Sequence, residues 1–386
     1  MRLLPMIIAP VELLDNGDVL SVRAHIDRLL AAGARSLLIL AGEETDLCRP
    51  EWDAMLQALP VPVFGGVFPR VVLGRQEHAV GVLVVGLSCT ADVCIAEGLD
   101  GAMQGFERSH AHCEAMRQSG TVMIWVDGLA RHIAALMEAV FDVLGAGPCY
   151  IGGGAGSLSF SAGPCLFSSR GMLQGAALVV GLPPRMALGV EHGWLPVAGP
   201  FIVSEAHGNE IRSLDFRSAA ELYREVVEPL ADVVLNEENF FAVAKDFPFG
   251  LERFDGSFVV RDPIILDGNS IVCVGDVPGQ SCLHVLRGEE ASLIRAASTG
   301  TAQALQALGK GVAGALLVDC ISRALFLEDG YRAELAAVSD ALADAGQEAV
   351  PVFGVLTLGE IANPGDYSLE LFNKTFVLGL MPNACL

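Results

Sequence analysis

Basic residues are scarce in this chain. Lysine and arginine together number 24 among 386 residues, against 46 aspartates and glutamates, so the formal net charge is -22. A surface of this sign repels the phosphates of nucleic acids and of anionic lipids. Charged residues make up only 18% of the chain, whereas 52% is hydrophobic, which favours a folded protein with a large core. We therefore expect a globular protein that binds neither nucleic acid nor a membrane.

Several motifs with known chemistry are also missing. The chain has no GxSxG of serine hydrolases, no HExxH of zinc peptidases and no CxxC pair. Its ten cysteines show no paired spacing, which is typical of reduced thiols in a cytoplasm. Apolar runs are too short and broken to span a bilayer, and the opening MRLLPMIIAPVELL is interrupted by prolines and a glutamate, unlike a signal peptide. These features predict a cytoplasmic location.

One short segment, VPVFG, occurs twice, beginning at Val61 and at Val350. Each copy stands in the same succession of an apolar strand, a helix, the VPVFG strand and a closing strand that ends in Gly-Leu. A third copy, with PCYIGGG in place of VPVFG, lies between them. The alignment predicts two sets of equivalent positions, namely Gly86, Gly181 and Gly379 on the closing strands, and Asp127 and Asp319 near the ends of the first strands.

This succession predicts an α/β fold in which repeated strand-helix-strand-strand modules form mixed sheets. Between the second and third copies, PFIVSEAHGNEIRSLDF has the pattern of a β-hairpin with Gly208 at its turn. No flexible linker or low-complexity tract interrupts the chain. We predict two closely packed halves, residues 1–210 and 211–386.

The third copy is more polar than the other two. After the repeated glycine turn, Thr357 and Glu360 stand where the first copy has Phe68 and Val71. A buried polar group without a partner costs about 1–3 kcal/mol. Polar residues in such a place are therefore expected to contact each other or a ligand.

The closing strands differ in the same way. Counting back from the shared glycine, Asn373 and Thr375 replace Val80 and Val82 of the first copy. The second copy has glycine and alanine at these places. Residues two apart on a strand share a face, so one face is polar only in the third copy.

The first strand of the third copy adds two further candidates, Cys320 at its end and Arg323 one turn later. Ligands of α/β proteins bind outside the carboxyl ends of strands. We predict a ligand-binding site, with Arg323 pairing an anionic group and the neutral side chains donating hydrogen bonds. The predicted site consists of Cys320, Arg323, Thr357, Glu360, Asn373 and Thr375.

Two alternatives remain open for these residues. Arg323 and Glu360 can instead form a structural bridge, with Cys320 an inert core residue. Cys320 can also be the nucleophile of an enzyme, with Arg323 lowering its pKa, although no base is assigned.

The chain resembles the FIST domain family over roughly residues 30 to 381. The resemblance is carried by GGGAGSLSF, HGWLPVAGPFIVSEAHGNEI, SAAELY, FVVRDP, DCISR, VPVFGVLTLGEI and NKTFVLGL. It implies N-terminal and C-terminal FIST halves and a sensor of small ligands in signal transduction. The first copy departs from the family pattern at GGVFPRVV, which argues against a site there.

Stand-alone FIST members of this length are similar to haem-binding nitric-oxide sensors that act on a partner histidine kinase. The resemblance therefore implies haem as cofactor and a histidine kinase as partner. His192, in the apolar segment GVEHGWLP, is the candidate axial ligand of the iron. An amino-acid-binding sensor without haem is the alternative.

Overall fold

The structure is a computed structural model that describes residues 5–8, 10–101, 113–309, 311–363 and 369–383. Within these ranges the chain forms eight α-helices and 26 strands arranged in four sheets. The predicted α/β fold, with repeated modules, mixed sheets and two closely packed halves, is confirmed.

The elements follow one another in four stretches of chain. Up to residue 87 they are β1 (Ile7–Ile8), β2 (Leu13–Leu14), α1 (Val19–Ala31), β3 (Ser36–Gly42), α2 (Arg49–Gln57), β4 (Val63–Phe68), β5 (Arg70–Leu73), β6 (Gln76–His78) and β7 (Val82–Leu87). The second stretch contains β8 (Asp92–Glu97), β9 (Thr121–Asp127), α3 (Ile133–Leu144), β10 (Cys149–Ala155), β11 (Leu166–Ser168), β12 (Gly171–Leu173), β13 (Ala176–Leu182) and β14 (Ala187–Glu191).

The other two stretches form the C-terminal half. The third contains β15 (Leu195–His207), β16 (Glu210–Leu214), β17 (Arg217–Ser218), α4 (Ala219–Ala231), α5 (Phe240–Ala244), β18 (Phe249–Glu252), β19 (Phe258–Asp267), β20 (Ser270–Val274) and β21 (Cys282–Arg287). The fourth contains α6 (Glu290–Leu308), β22 (Val312–Cys320), α7 (Ile321–Leu327), α8 (Tyr331–Asp344), β23 (Val352–Thr357), β24 (Glu360–Ala362), β25 (Glu370–Phe372) and β26 (Phe376–Pro382).

Three of the four sheets share one plan, which confirms the repeat. In each, the first strand (β3, β9 or β22) pairs in parallel with the strand that carries the repeated glycine (β4, β10 or β23). The same first strand pairs antiparallel with the closing strand (β7, β13 or β26). The inner faces of the three sheets contribute to one large hydrophobic cluster, and separate clusters lie beneath the helices on their outer faces.

The glycine of the repeated segment marks the closest approach of two strands. Gly354 lies opposite Leu317 of the parallel neighbour, and a Cβ on it would lie 1.9 Å from the Leu317 carbonyl oxygen. Gly65 and Gly152 occupy the same place in the other two sheets, where a Cβ would lie 1.9 and 1.8 Å from the facing carbonyl oxygen. Only glycine fits at such a distance. This close pairing explains why VPVFG recurs.

The closing strand of the third sheet is shifted by one residue relative to the other two. Measured from the repeated glycine, the residue equivalent to Gly86 is Leu380 and not Gly379. The same registers make Cys320, and not Asp319, the equivalent of Asp127. Gly86 and Gly181 are equivalent as predicted, but in both sets the assignment in the third copy is wrong by one residue, because it aligned identical letters. Neighbouring residues on a strand point to opposite faces, so this shift changes which side chains face the site.

After the repeated strand, each module sends its next hairpin into a neighbouring sheet. The hairpin β5–β6 pairs with β23, β24–β25 pairs with β10, and β11–β12 pairs with β4. The three modules thus exchange hairpins in a closed ring. The different letters that follow the two VPVFG segments belong to these exchanged hairpins.

The fourth sheet is antiparallel and comes from the segment between the second and third modules. Its strand order is β15-β21-β18-β19-β20-β16-β17, and β15 and β16 form the predicted hairpin at Gly208. The predicted division at residue 210 falls within that hairpin, and it stays a prediction. Within the described ranges, no helix is long and apolar enough to cross a membrane.

Candidate functional site

A large cavity opens where the N-terminal and C-terminal halves meet. Its volume is about 1290 Å³. The N-terminal half contributes the loop after β9, the exposed side of α3 and the loop after β10. The C-terminal half contributes β19 and β20, the start of α7, the turn between β23 and β24, and β25. The walls are mostly apolar, with a few polar groups, as is usual for small-molecule sites.

Five of the six predicted site residues lie together beside this cavity. Glu360 is at the centre, where its Oε2 accepts a hydrogen bond from Thr375 N at 3.1 Å. The hydroxyl of Thr357 lies 3.0 Å from the Glu360 Oε1. The Cys320 thiol is close enough to this carboxylate to lower its pKa. Thr375 in turn donates to the main-chain oxygen of Asn373 at 2.8 Å. All five are buried, and Cys320, Thr357 and Asn373 line the large cavity.

Burial controls the protonation of this cluster. It raises the pKa of Glu360 to about 8, against the hydrogen bonds from Cys320, Thr375 and Thr357, which lower it. Burial also raises the pKa of the Cys320 thiol well above its usual value, and the Glu360 carboxylate raises it further. A protonated thiol is a poor nucleophile. The environment of Cys320 therefore does not favour a cysteine-dependent enzyme.

Arg323 lies apart from both this cluster and the cavity wall. Its guanidinium is fully buried and pairs with both carboxylate oxygens of Glu334, at 3.1 and 2.9 Å, and with Asp319 at 3.3 Å. It also donates to the main-chain oxygens of His192, Leu293 and Lys374. These acceptors occupy its donors, so its surroundings are those of a structural bridge. Its partner is Glu334, rather than the Glu360 of the predicted alternative.

A buried ion pair that the sequence did not assign lies on the other side of the cluster. Lys374 is fully buried, and its Nζ lies 3.2 Å from Asp262 Oδ2 and 5.1 Å from the centre of the Trp194 ring. Asp262 is 3% exposed and lines the large cavity. Ser322 donates to the same Oδ2 at 3.2 Å. The other carboxylate oxygen, Oδ1, has no hydrogen-bond partner among the described residues.

Arg261, next to Asp262 on β19, also lines the cavity and is buried. It donates hydrogen bonds to the main-chain oxygens of Asp276, Val260 and Leu371, at 2.8 to 3.1 Å. In the part of the chain that the structure describes, no carboxylate lies within 4 Å of its guanidinium. Buried arginines are usually paired with a carboxylate. The cavity wall thus contains a buried cationic group, Arg261, and a buried anionic group, Asp262, that each lack part of their usual partners.

The sequence contained a signal for these missed residues. Asp262 and Arg261 interrupt the apolar strand FVVRDPIIL, and Lys374 stands between two polar residues in NKTF. Charges within apolar strands are costly unless they are paired. The pairing itself joins segments far apart in the chain, and periodicity does not reveal such contacts.

His192 does not fit the role of haem ligand. Burial, and then the charge of Arg323, lower the pKa of His192 to about 4, so the ring is neutral at physiological pH. Its Nδ1 accepts a hydrogen bond from Trp194 N at 3.0 Å, so the proton of the neutral ring is on Nε2. Neither nitrogen then offers a lone pair to iron. The cavity beside it measures about 260 Å³, which is below the usual range for small-molecule sites.

The large cavity has no histidine in its described lining. Among the described residues, no group of three or more His, Cys, Asp or Glu side chains is arranged to hold a metal ion.

Comparison with protein families gives two adjacent matches. The FIST N domain model matches residues 38–217, and the FIST C domain model matches residues 219–363. The cavity lies between the two matched regions and takes residues from both. Among curated proteins, no sequence matched the chain.

Proposed function

Because this chain is a FIST domain protein, with FIST N and FIST C domains of the kind that sense small ligands in signal transduction, we propose that it is a sensor whose ligand binds in the large cavity. The observation that carries the proposal is the buried, unpartnered Oδ1 of Asp262 in the wall of a cavity of about 1290 Å³. A buried carboxylate oxygen without a partner is costly, and a ligand cation would remove that cost.

The cavity wall supports an amino-acid-like ligand. An ammonium group would lie against Asp262, and a carboxylate would be held by the Arg261 guanidinium. The volume exceeds what these two charged groups need. The remaining wall, including Phe141 of α3 and Leu358 of the β23–β24 turn, suits a bulky apolar side chain.

Three ligands that differ in one charged group test this assignment on the purified full chain. They are L-phenylalanine, phenethylamine, which lacks the carboxylate, and 3-phenylpropionate, which lacks the ammonium. Calorimetry and thermal shift should rank the amino acid first, because only it satisfies both charges. If none of the three binds saturably, the proposal fails.

A pair of variants tests whether the ammonium group of the ligand binds to Asp262. Asp262→Asn should weaken phenylalanine and phenethylamine binding at least tenfold and leave 3-phenylpropionate unchanged or tighter. Asp276→Asn is the matched control, since Asp276 is an exposed residue of the same cavity. Equal effects of the two substitutions would assign the change to net charge and not to Asp262.

The family resemblance suggests a cytoplasmic location and a histidine kinase that receives the signal, and we include both in this proposal. Ligand contacts with both halves would change how they pack, and this change would be passed to the partner. The surroundings of His192 argue against a haem-based nitric-oxide sensor. A haemin titration tests that version, since a Soret band that His192→Ala removes would restore haem as the ligand.

A further inference from the structure

Two cysteines outside the ligand site have their sulfur atoms in unusually close contact. The Sγ atoms of Cys94 and Cys113 are 2.8 Å apart, and both residues carry thiols. Cys94 lies on β8, and Cys113 precedes the 3₁₀ turn Met116–Gln118, which leads into β9. Their side chains belong to the hydrophobic cluster beneath α3.

This geometry is close to that of a disulfide. A disulfide bond is about 2.05 Å long, so the sulfurs need to approach by only about 0.8 Å. A movement of this size lies within small side-chain adjustments. We propose that Cys94 and Cys113 are an oxidative modification site that forms an intramolecular disulfide, with hydrogen peroxide as the oxidant.

Burial decides which oxidant can act. Cys94 is 3% exposed and Cys113 is fully buried, so a bulky disulfide such as oxidised glutathione has no access. The hydrogen bond to Cys94 and then burial raise the pKa of the Cys113 thiol, and the charge of Asp92 adds to this. Thiolates are the reactive form, so oxidation is slow and needs a small, uncharged oxidant.

The reaction is balanced by one peroxide molecule. One thiolate attacks a peroxide oxygen, the O–O bond breaks, and a sulfenic acid and a water form after proton transfer. The second thiol attacks the sulfenic sulfur, the S–S bond forms, and a second water leaves. Two thiols are oxidised to a disulfide, and the peroxide is reduced to two waters.

The bond would fasten the edge of one sheet. β8 is the edge strand of the second sheet, where it pairs with β13. The disulfide would join it covalently to the turn that leads into β9, the central first strand of the same sheet. Cross-linking restricts the unfolded chain, so the oxidised protein should unfold at a higher temperature than the reduced one.

Peptide mapping of the wild-type full chain tests the proposal. The protein is reduced, treated with hydrogen peroxide, blocked with an alkylating reagent and digested without reductant. We expect a cross-linked peptide containing Cys94 and Cys113, lighter by two hydrogens, and a rise in unfolding temperature that reductant reverses. Cys113→Ser should abolish both results, whereas Cys149→Ser, at another buried thiol, should keep both.

The opposite results are equally clear. Sulfinic or sulfonic acids at these two cysteines without a cross-link would overturn the proposal. So would two thiols that remain intact after the exposed Cys48 and Cys282 are fully oxidised. The wild-type map decides the question even if Cys113→Ser does not fold.

Discussion

Glu360 is a buried carboxyl group surrounded by neutral donors. Thr357 and the main-chain N–H of Thr375 donate hydrogen bonds to it, and the Cys320 thiol lies close to it. Within the described part of the chain no cation lies at ion-pair distance from it. Desolvation therefore outweighs the hydrogen bonds and raises its pKa to about 8. Near neutral pH this group is mostly protonated, so the cluster of buried polar residues around it is largely neutral.

The raised pKa predicts how stability depends on pH. Glu360 binds a proton more tightly in the folded than in the unfolded protein, so its contribution to stability is lost as pH rises from 4.5 to about 8. His192 makes stability rise with pH, but only between about pH 4 and pH 6.5. Between pH 6.5 and 8, the raised pKa of Glu360 makes the free energy of unfolding of the wild type fall by up to about 2 kcal/mol. Glu360→Gln should remove this part of the fall.

Urea unfolding at several pH values measures this effect. Glu44→Gln, at an exposed carboxylate, is the control and should follow the wild type. Parallel pH profiles of wild type and Glu360→Gln would contradict the assigned protonation.

Replacing Arg323 tests whether this residue stabilises the fold or binds the ligand. Replacing Arg323 by alanine leaves Glu334 and Asp319 buried without their cation, and breaking a buried pair costs about 3–5 kcal/mol. Arg75→Ala removes an exposed pair with Asp340 and should cost less than about 1 kcal/mol. Urea denaturation compares the two. A stable Arg323→Ala protein with lost ligand affinity would return Arg323 to the binding site.

The sequence predicted one part of the buried polar cluster beside the cavity and missed the neighbouring ion pair for a definite physical reason. The contrast between copies identified Thr357 and Glu360, because Glu360 and Val71 of the first copy take equivalent places in their hairpins, opposite Gly153 and Val355. It missed Lys374, because the closing strand of the third sheet is shifted by one residue. Counting back from Gly379 selected Asn373 and Thr375, while Lys374 stands at the structural equivalent of Val80. The role of the predicted site residues in ligand binding stays a prediction.

At the scale of elements, the repeated glycine sets the distance between the paired parallel strands. The facing carbonyl oxygen lies where a side chain would begin, in all three modules. The hydrophobic pattern predicted these strands correctly, because fully buried strands have continuous apolar runs. It did not predict the exchanged hairpins, because pairing partners depend on the tertiary arrangement and not on local sequence.

Gly354→Ala should therefore destabilise the protein. The new Cβ would overlap the Leu317 carbonyl, and overpacking of this kind costs about 1–3 kcal/mol or more. Gly147→Ala is the matched control, since a Cβ there meets no atom within 4 Å. Thermal unfolding measures both. Equal unfolding temperatures for the two variants would show that the strands can separate at no cost.

At the scale of the whole molecule, the ring of exchanged hairpins makes the halves interdependent. The sheet around β22 takes β5, β6 and β14 from the N-terminal half, and the sheet around β9 takes β24 and β25 from the C-terminal half. Each half alone would expose unpaired strand edges, which favour aggregation.

We expect neither residues 1–210 nor residues 211–386 to reach the native state alone. Each fragment should lack the near-ultraviolet circular dichroism of the full chain, and the two should regain it when refolded together. A second division between residues 218 and 219 controls for the position of the cut, because residue 210 lies in β16. Native spectra for both separate fragments would refute the interdependence.

The ring of exchanged hairpins also determines how long a strand waits for its pairing partner during synthesis on the ribosome. Leu73 ends β5, but β23, its partner, begins at Val352, about 280 residues further along the chain. At about 5–20 residues per second, roughly 15 to 55 s pass before that partner has been made. During this interval the nascent chain carries an apolar strand without its sheet. A holding chaperone that protects this strand during synthesis should therefore raise the yield of folded protein. A change in the rate of folding after release from the ribosome should raise the yield less.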